Sequence, residues 1–135
     1  MRIGIIGSFD FIREFEIISQ QLRNLKHDPY MSPYIDFLTR KSKTEVMEIK
    51  KNIKGNSINE FWKLLQGGDA VLVLNYDKRG IKNYIGGSTL VEMAFAYILG
   101  QKIFLLNSIP EIQYYYDEIV KMAPIVINGN LEKIK

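Results

Sequence analysis

The chain has 135 residues, 47% hydrophobic and 24% charged, with 18 Lys and Arg against 15 Asp and Glu, one His and no Cys. That balance fits a single domain spanning 1–135 around one core, and it excludes disorder as the main state. It also excludes disulfides, thiolate metal sites and a Cys nucleophile, leaves no His cluster for a metal, and at a net charge of +3 is too mild for a nucleic-acid surface, though it suits small anionic ligands.

Ile3 to Ile6 is a short apolar run closed by Gly7-Ser8, and it reads as a buried strand. No apolar run approaches the roughly 20 residues of a membrane span. The start also lacks the cleavage region of a signal peptide, so the expected location is the cytoplasm, with no membrane partner. From Phe11 to Lys26 the residues Phe15, Ile18, Leu22 and Leu25 fall at helical spacing, with His27 at the helix end. Pro29 and Pro33 break the next stretch, where Tyr34 to Leu38 is expected as a short edge strand. Ser42 to Lys54 reads as a helix with Val46, Ile49 and Ile53 on one face, stopped by Gly55-Asn56-Ser57. Ser57 is expected to cap a helix through Gln66 that carries Phe61, Trp62, Leu64 and Leu65, with Trp62 in the core.

Gly67-Gly68-Asp69 is a turn, and Asp69 reads as part of it. Ala70 to Leu74 is apolar at every position, as expected of a central parallel strand covered on both faces. Asn75 to Gly87 is a polar loop containing Gly80, Gly86 and Gly87. Thr89 to Leu99 reads as a helix ended by Gly100, and Lys102 to Leu106 as another buried strand. Pro110 is expected to open a helix through Lys121. The Tyr114-Tyr115-Tyr116 run spans too many helix faces to be one stripe, so at least one ring should be exposed, as at a subunit interface. Ile125 to Ile127 is the last expected strand. The alternation predicts a doubly wound α/β fold, with a mostly parallel five-stranded sheet and helices on both faces.

In such sheets ligands bind beyond the carboxyl ends of the strands. That rule selects Gly7 to Phe11, Asn75 to Ser88 and Asn107 to Pro110. The middle loop is longer than the usual connection of roughly 2–6 residues and carries Asn75, Tyr76, Asp77, Lys78, Arg79, Asn83 and Tyr84. Gly86-Gly87 permits close backbone approach, and Ser88-Thr89 then starts a helix whose free N–H groups attract anions. Glu92 follows in what reads as the first turn. There the helix dipole should hold it ionised, able to attack an anomeric carbon or stabilise an oxocarbenium-like transition state. Thr89-Leu90-Val91-Glu92 also fits a capping box, with Thr89 at the N-cap and Glu92 at N3. Spacing does not separate the two readings; the glycine pair and the polar loop favour a site. No Gly-x-Gly-x-x-Gly and no Walker-type Gly-Lys-Ser/Thr is present, so the standard dinucleotide and P-loop sites are excluded.

Three stretches together resemble the nucleoside 2-deoxyribosyltransferase superfamily: Ile5-Ile6-Gly7-Ser8, Gly68 to Asn75, and above all Asn83-Tyr84-Ile85-Gly86-Gly87-Ser88-Thr89-Leu90-Val91-Glu92-Met93-Ala94-Phe95-Ala96 with Gly100 to Leu106. That group includes transferases that exchange bases on deoxyribose and hydrolases that cleave deoxynucleoside monophosphates. The resemblance implies a flavodoxin-like fold, no metal or other cofactor, a homodimer or larger assembly, and a Glu nucleophile at Glu92. It also implies a Gly-Ser turn at Gly7-Ser8, which in the hydrolases meets a phosphate. An assisting carboxylate on the helix before the central strand has Glu60, or Asn59 in its place, as the nearest counterpart. Phe9 and Phe11 stand where relatives often carry a Tyr, and Gly86 where they carry an acidic residue or Ser. The turn is also similar to the Pro-Gly-Gly-x-Gly-Thr-x-x-Glu motif of lysine-decarboxylase-like phosphoribohydrolases, with Thr89 and Glu92 matching.

These readings point to cleavage or transfer at the N-glycosidic bond of a nucleoside or nucleotide. Glu92, with Glu60 and Asp77, would be catalytic. Gly7, Ser8, Phe9, Asn75, Tyr84, Gly86, Gly87, Ser88 and Thr89 would bind substrate. The alternative on the same fold is a non-catalytic nucleotide-binding or regulatory module.

Overall fold

Five strands alternate with helices along the chain. A computed structural model describes residues 1–52 and 57–135. In order they are β1 (Arg2–Gly7), a 3-10 turn (Phe9–Phe11), α1 (Ile12–Asn24), β2 (Asp28–Tyr30), α2 (Pro33–Leu38), α3 (Lys43–Asn52), α4 (Ser57–Leu65), β3 (Ala70–Leu74), α5 (Gly87–Ile98), β4 (Lys102–Leu105), α6 (Tyr116–Lys121), β5 (Ile125–Val126) and a closing 3-10 turn (Leu131–Lys133). The expected stop at Gly55-Asn56 and the place of Ile53 lie outside the described residues, as does the Ser57 side chain.

The strands form one five-stranded sheet in the order β2-β1-β3-β4-β5, and every pairing is parallel. This is the flavodoxin-like, doubly wound α/β order. Alternation along each strand decides what each face buries. Ile3, Ile5, Ala70, Leu72, Leu74 and Phe104 meet Phe15, Ile18 and Leu22 of α1, Ile35 and Leu38 of α2 and Val46 of α3. Ile6, Val71, Val73, Ile103 and Leu105 meet Phe61 and Leu65 of α4, Met93 and Ala96 of α5 and Ile119 of α6. Among the described residues no helix is long and apolar enough to cross a membrane.

Three expectations need correction. Tyr34 to Leu38 is not an edge strand but lies in α2. Pro33 takes the first helical turn, where its missing N–H costs nothing, and Ile35 and Leu38 turn one face to the core. The edge strand is β2, which tolerates Pro29 because one side of an edge needs no partner. The second concerns Pro110, which opens no helix; α6 begins only at Tyr116. Ile112 is buried instead, and its carbonyl accepts the N–H groups of Tyr115 and Tyr116 at 3.3 and 2.9 Å. The third is Trp62, which lies at the rim, 37% exposed, edge-on to Phe95. Tyr114 and Tyr116 are the exposed rings of the tyrosine run, at 87% and 42%.

Helix α1 ends in a Schellman turn: the N–H of His27 donates to Leu22 O and that of Lys26 to Arg23 O. His27 thus closes the helix through its backbone, while its ring meets the N-terminal amine. The motif puts Lys26 at φ 68, a left-handed conformation that suits glycine. Lys26 is exposed and its side chain holds nothing in place. Lys26→Gly is therefore expected to stabilise the chain by about 0.5–1 kcal/mol, after the entropic cost of glycine is subtracted. Urea unfolding checks it; an unchanged or lower midpoint contradicts the strain assigned to Lys26.

Candidate functional site

The strand order reverses between β1 and β3. The chain leaves β1 for one face of the sheet through α1 and leaves β3 for the other through α5. A crevice opens between the two departures, where doubly wound folds bind ligands. Here it is a cleft of about 330 Å³. Gly7, Ser8, Phe9 and Asp10 form one lip. Lys78, Arg79, Tyr84 and Gly86 to Thr89 form the other, and Glu92 lines the cleft from α5. Ile5, Ile35 and Phe61 supply apolar wall, with Ser32 beside them.

The pairing of β1 with β3 is tight at this end. A Cβ on Gly7 would sit 2.9 Å from the carbonyl oxygen of Leu74, closer than real contacts allow. Past Gly7, Ser8 caps the 3-10 turn by accepting the N–H of Asp10 at 3.2 Å.

The long loop after β3 is built, not slack. Lys78 and Ile81 exchange backbone hydrogen bonds at 3.0 and 2.9 Å around a two-residue turn. Arg79 and Gly80 both have positive φ, 53° and 74°, as a type I′ turn requires. Asp77 Oδ1 accepts the N–H of Asn83 at 2.9 Å, and Tyr76 O that of Tyr84 at 2.9 Å. The Tyr115 hydroxyl donates to Ile85 O just before the glycine pair.

Lys78 crosses from this loop to the first lip. Its Nζ donates to Ser8 Oγ at 2.7 Å, sits 3.0 Å from Asp10 Oδ2, and lies 5.1 Å from the centre of the Tyr84 ring. Its side chain is only 16% exposed. Arg79 is exposed, lines the cleft and has no hydrogen bond or ion pair among the described residues.

The expected capping box at Thr89 and Glu92 does not form. Gly86 is the N-cap of α5, and its carbonyl takes the first helical bond from Leu90 at 2.9 Å. The inward stripe Thr89, Met93 and Ala96 sets the phase of the helix and draws its start back to Gly87. Glu92 is thereby moved past the first turn, away from the free N–H groups that would have held it ionised. Among the described residues it makes no hydrogen bond and no ion pair. Burial raises its pKa from the usual 4.5 to about 8, so at pH 7 it is mostly the neutral acid.

No protein-family model, curated protein or solved structure matches the chain. The geometry alone therefore sorts the expected site residues. Gly7, Ser8, Phe9, Tyr84, Gly86, Gly87, Ser88, Thr89 and Glu92 share the cleft. Glu60 does not: it lies in a separate hollow with Pro33, Tyr34, Lys63 and Leu64, because α4 turns the neighbouring Phe61 to the cleft instead. Asp77 is exposed and holds the loop through Asn83. Asn75 is fully buried and staples two loops: its side chain donates to Asn107 O and Ser108 O, each at 3.0 Å, and accepts the Asn107 N–H at 2.9 Å. Lys78, Arg79, Asp10, Ser32, Ile35 and Phe61 are cleft residues that spacing did not single out. For the two cations, the density of charge in the long loop was the available signal. Among the described residues no group of three or more His, Asp or Glu side chains could hold a metal ion.

The raised pKa of Glu92 has a consequence for stability. Between pH 4.5 and about 8 the folded chain holds a proton that the unfolded chain has released. Stability therefore falls as pH rises across that window and is level on either side. Glu92→Gln stays neutral throughout. It is expected to match the native chain near pH 4 and to exceed it by on the order of 3 kcal/mol at pH 7. Urea unfolding at the two pH values measures this. A difference that does not grow with pH would mean that Glu92 is ionised in the folded chain.

Proposed function

We propose that the chain is a cytoplasmic enzyme that cleaves or transfers at the N-glycosidic bond of a (deoxy)nucleoside or nucleoside monophosphate, with Glu92 as the nucleophile. One observation carries the reading: a carboxyl with no hydrogen-bond or ion-pair partner among the described residues faces the cleft at the strand-order reversal. The likeness of Asn83 to Ala96 to the deoxyribosyltransferase superfamily supports it. Phe9, Ile5 and Phe61 offer apolar surface to a base. Ser8, Ser88 and the first N–H groups of α5 suit hydroxyl or phosphate oxygens.

The ionised carboxylate would bond to C1′ of the sugar as the C1′–N bond breaks. The electron pair of that bond leaves with the base, which takes up a proton. Water in a hydrolase, or a second base in a transferase, then attacks C1′ and frees the carboxylate. The scheme uses no metal and no redox cofactor. It includes assembly into at least a dimer, which would cover the exposed Tyr97 and Ile98 of α5; a monomer by light scattering removes that element.

One observation favours a second reading. A carboxyl kept neutral by burial is a hydrogen-bond donor, as suits a binding or regulatory module without turnover.

Incubation with a panel of deoxynucleosides and their 5′-monophosphates is expected to release free base, followed by chromatography. Glu92→Ala and Glu92→Gln should lower that release by about a thousandfold or more. Because attack needs the base form, kcat/KM should rise with pH and level off above about 8. A profile that falls above that pH makes Glu92 an acid, and full activity in Glu92→Gln removes it from the chemistry. Binding without base release establishes the module.

A further inference from the structure

The loop after β3 forms a tip that is bonded to itself, and one side chain ties that tip to the opposite lip of the cleft. We propose that residues 77–84 are a lid over the cleft and that Lys78 is its latch. The tie from Lys78 to Ser8 and Asp10 holds the lid shut, and its release lets the tip swing away as one body to admit a ligand. The lid stands on its own geometry and does not depend on the glycosidic reading.

The base of the tip is fixed on both sides. Asn75 is fully buried and is bonded through its side chain and its carbonyl to Asn107 and Ser108. Tyr76 packs edge-on against Phe11, with 5.3 Å between the ring centres. On the return, Ile85 is buried, and its carbonyl accepts the Tyr115 hydroxyl. Between these points the bonds are internal. Lys78 and Ile81 exchange backbone hydrogen bonds, Asp77 accepts the Asn83 N–H, and Tyr76 O accepts the Tyr84 N–H. A swing about the fixed base breaks none of them, so the tip can move without unravelling.

Among the described residues, the hydrogen bonds and ion pairs that lead from 77–84 to the chain beyond Tyr76 are those of Lys78. Lys78 crosses the cleft to make them, at 2.7 Å to Ser8 Oγ and 3.0 Å to Asp10 Oδ2, with the Tyr84 ring of its own tip 5.1 Å behind the ammonium. The tie is releasable. The Asp10 side chain is 44% exposed, so water and salt compete for the ammonium, and a pair of that exposure shifts an equilibrium by a small factor. The lid has something to cover: Ile5, Ile35 and Phe61 line the same cleft as apolar wall. Closure keeps water from that wall, and opening gives a ligand its way in.

A distance between two spin labels tests this. The native chain has no Cys. Glu16→Cys on α1 and Lys82→Cys on the tip, both at exposed positions, place one label on the body and one on the lid. Electron double resonance is expected to show one main distance and a minor longer one. Asp10→Asn should raise the longer population about fivefold, and Lys78→Met, which loses both contacts, by more. Salt at about 1 M should shift the native chain in the same direction. In Lys78→Met the N–H groups of Ile81 and Tyr84 should stay protected from hydrogen exchange, because the tip keeps its own bonds. Association of a deoxynucleoside, followed by stopped flow, should speed up in proportion to the longer population. Thermal melts show whether each variant is folded, and the salt series on the native chain keeps the test available if Lys78→Met is not. Distances that are the same in the native chain, both variants and high salt overturn the lid. Loss of protection at Ile81 and Tyr84 in Lys78→Met overturns it too, since the loop then unravels. A longer population that grows while association stays unchanged overturns the gating role of Lys78. If no deoxynucleoside binds, the glycosidic reading ends and the label distances alone decide the lid.

Discussion

The site depends on the contact between the carboxyl ends of β1 and β3. Five residue pairs hold these strands in register, from Ile3 with Ala70 to Gly7 with Leu74. At the last pair the strands leave no room for a side chain, because the space it would occupy at Gly7 is filled by the Leu74 carbonyl. Strands that close leave their two following loops side by side, while α1 and α5 carry the chain to opposite faces. Everything chemical in the cleft follows from that divergence. Ser8 and Asp10 come from one departure, Lys78, Arg79 and Glu92 from the other, and Lys78 bridges the gap the divergence opens.

Glu92 shows how a local pattern can be read correctly and still be misplaced. The chain contains three segments of the form Ser/Thr-x-x-Glu at a helix start, at Ser42, Ser57 and Thr89, of which the Ser57 side chain lies outside the described residues. At Ser42 the box is real: Glu45 N–H donates to Ser42 Oγ and Ser42 N–H to Glu45 Oε1, each at 3.3 Å, and the Ser42 hydroxyl and N–H beside the Glu45 carboxyl hold it below its usual range. At Thr89 the same spacing is overruled by packing. Thr89 is 5% exposed because it extends the inward stripe of Met93 and Ala96, so the helix starts earlier and a glycine does the capping. A shift of one helical turn converts an expected N3 carboxylate, ionised and partnered, into a neutral one with no partner. Two carboxyls with the same sequence context thus have pKa values displaced in opposite directions.

The rest of the sequence was legible where one-dimensional patterns decide the outcome. Ala70 to Leu74 is apolar at every position and is the central strand; Gly100 follows α5 with φ 72 as a helix end requires. Legibility failed where long-range partners decide. The Pro110 to Tyr115 segment had a plausible helix start, but Ile112 is buried and Tyr115 is committed to Ile85, thirty residues away in sequence. Asn75 and Asp77 looked like ligand-binding groups because polar side chains follow a central strand. One is consumed by Asn107 and Ser108 and the other by Asn83, and these bonds are what give the long loop its shape. Lys78 was visible only as one charge among several, because its role depends on Ser8, seventy residues away.

The cleft is costly to stability at two points and compensates for neither locally. Arg79 holds a left-handed backbone where glycine or asparagine would sit more easily, and Glu92 is half-buried with no donor among the described residues. A sequence under selection for stability alone would relieve both, since neither side chain makes a hydrogen bond or ion pair among the described residues. Both line the same cavity, at the position where this strand order places ligands. Lys26 shows that a left-handed residue can also stand away from the site, but at Arg79 the strain shares a cleft with the unanswered carboxyl of Glu92, where the fold offers a ligand its place.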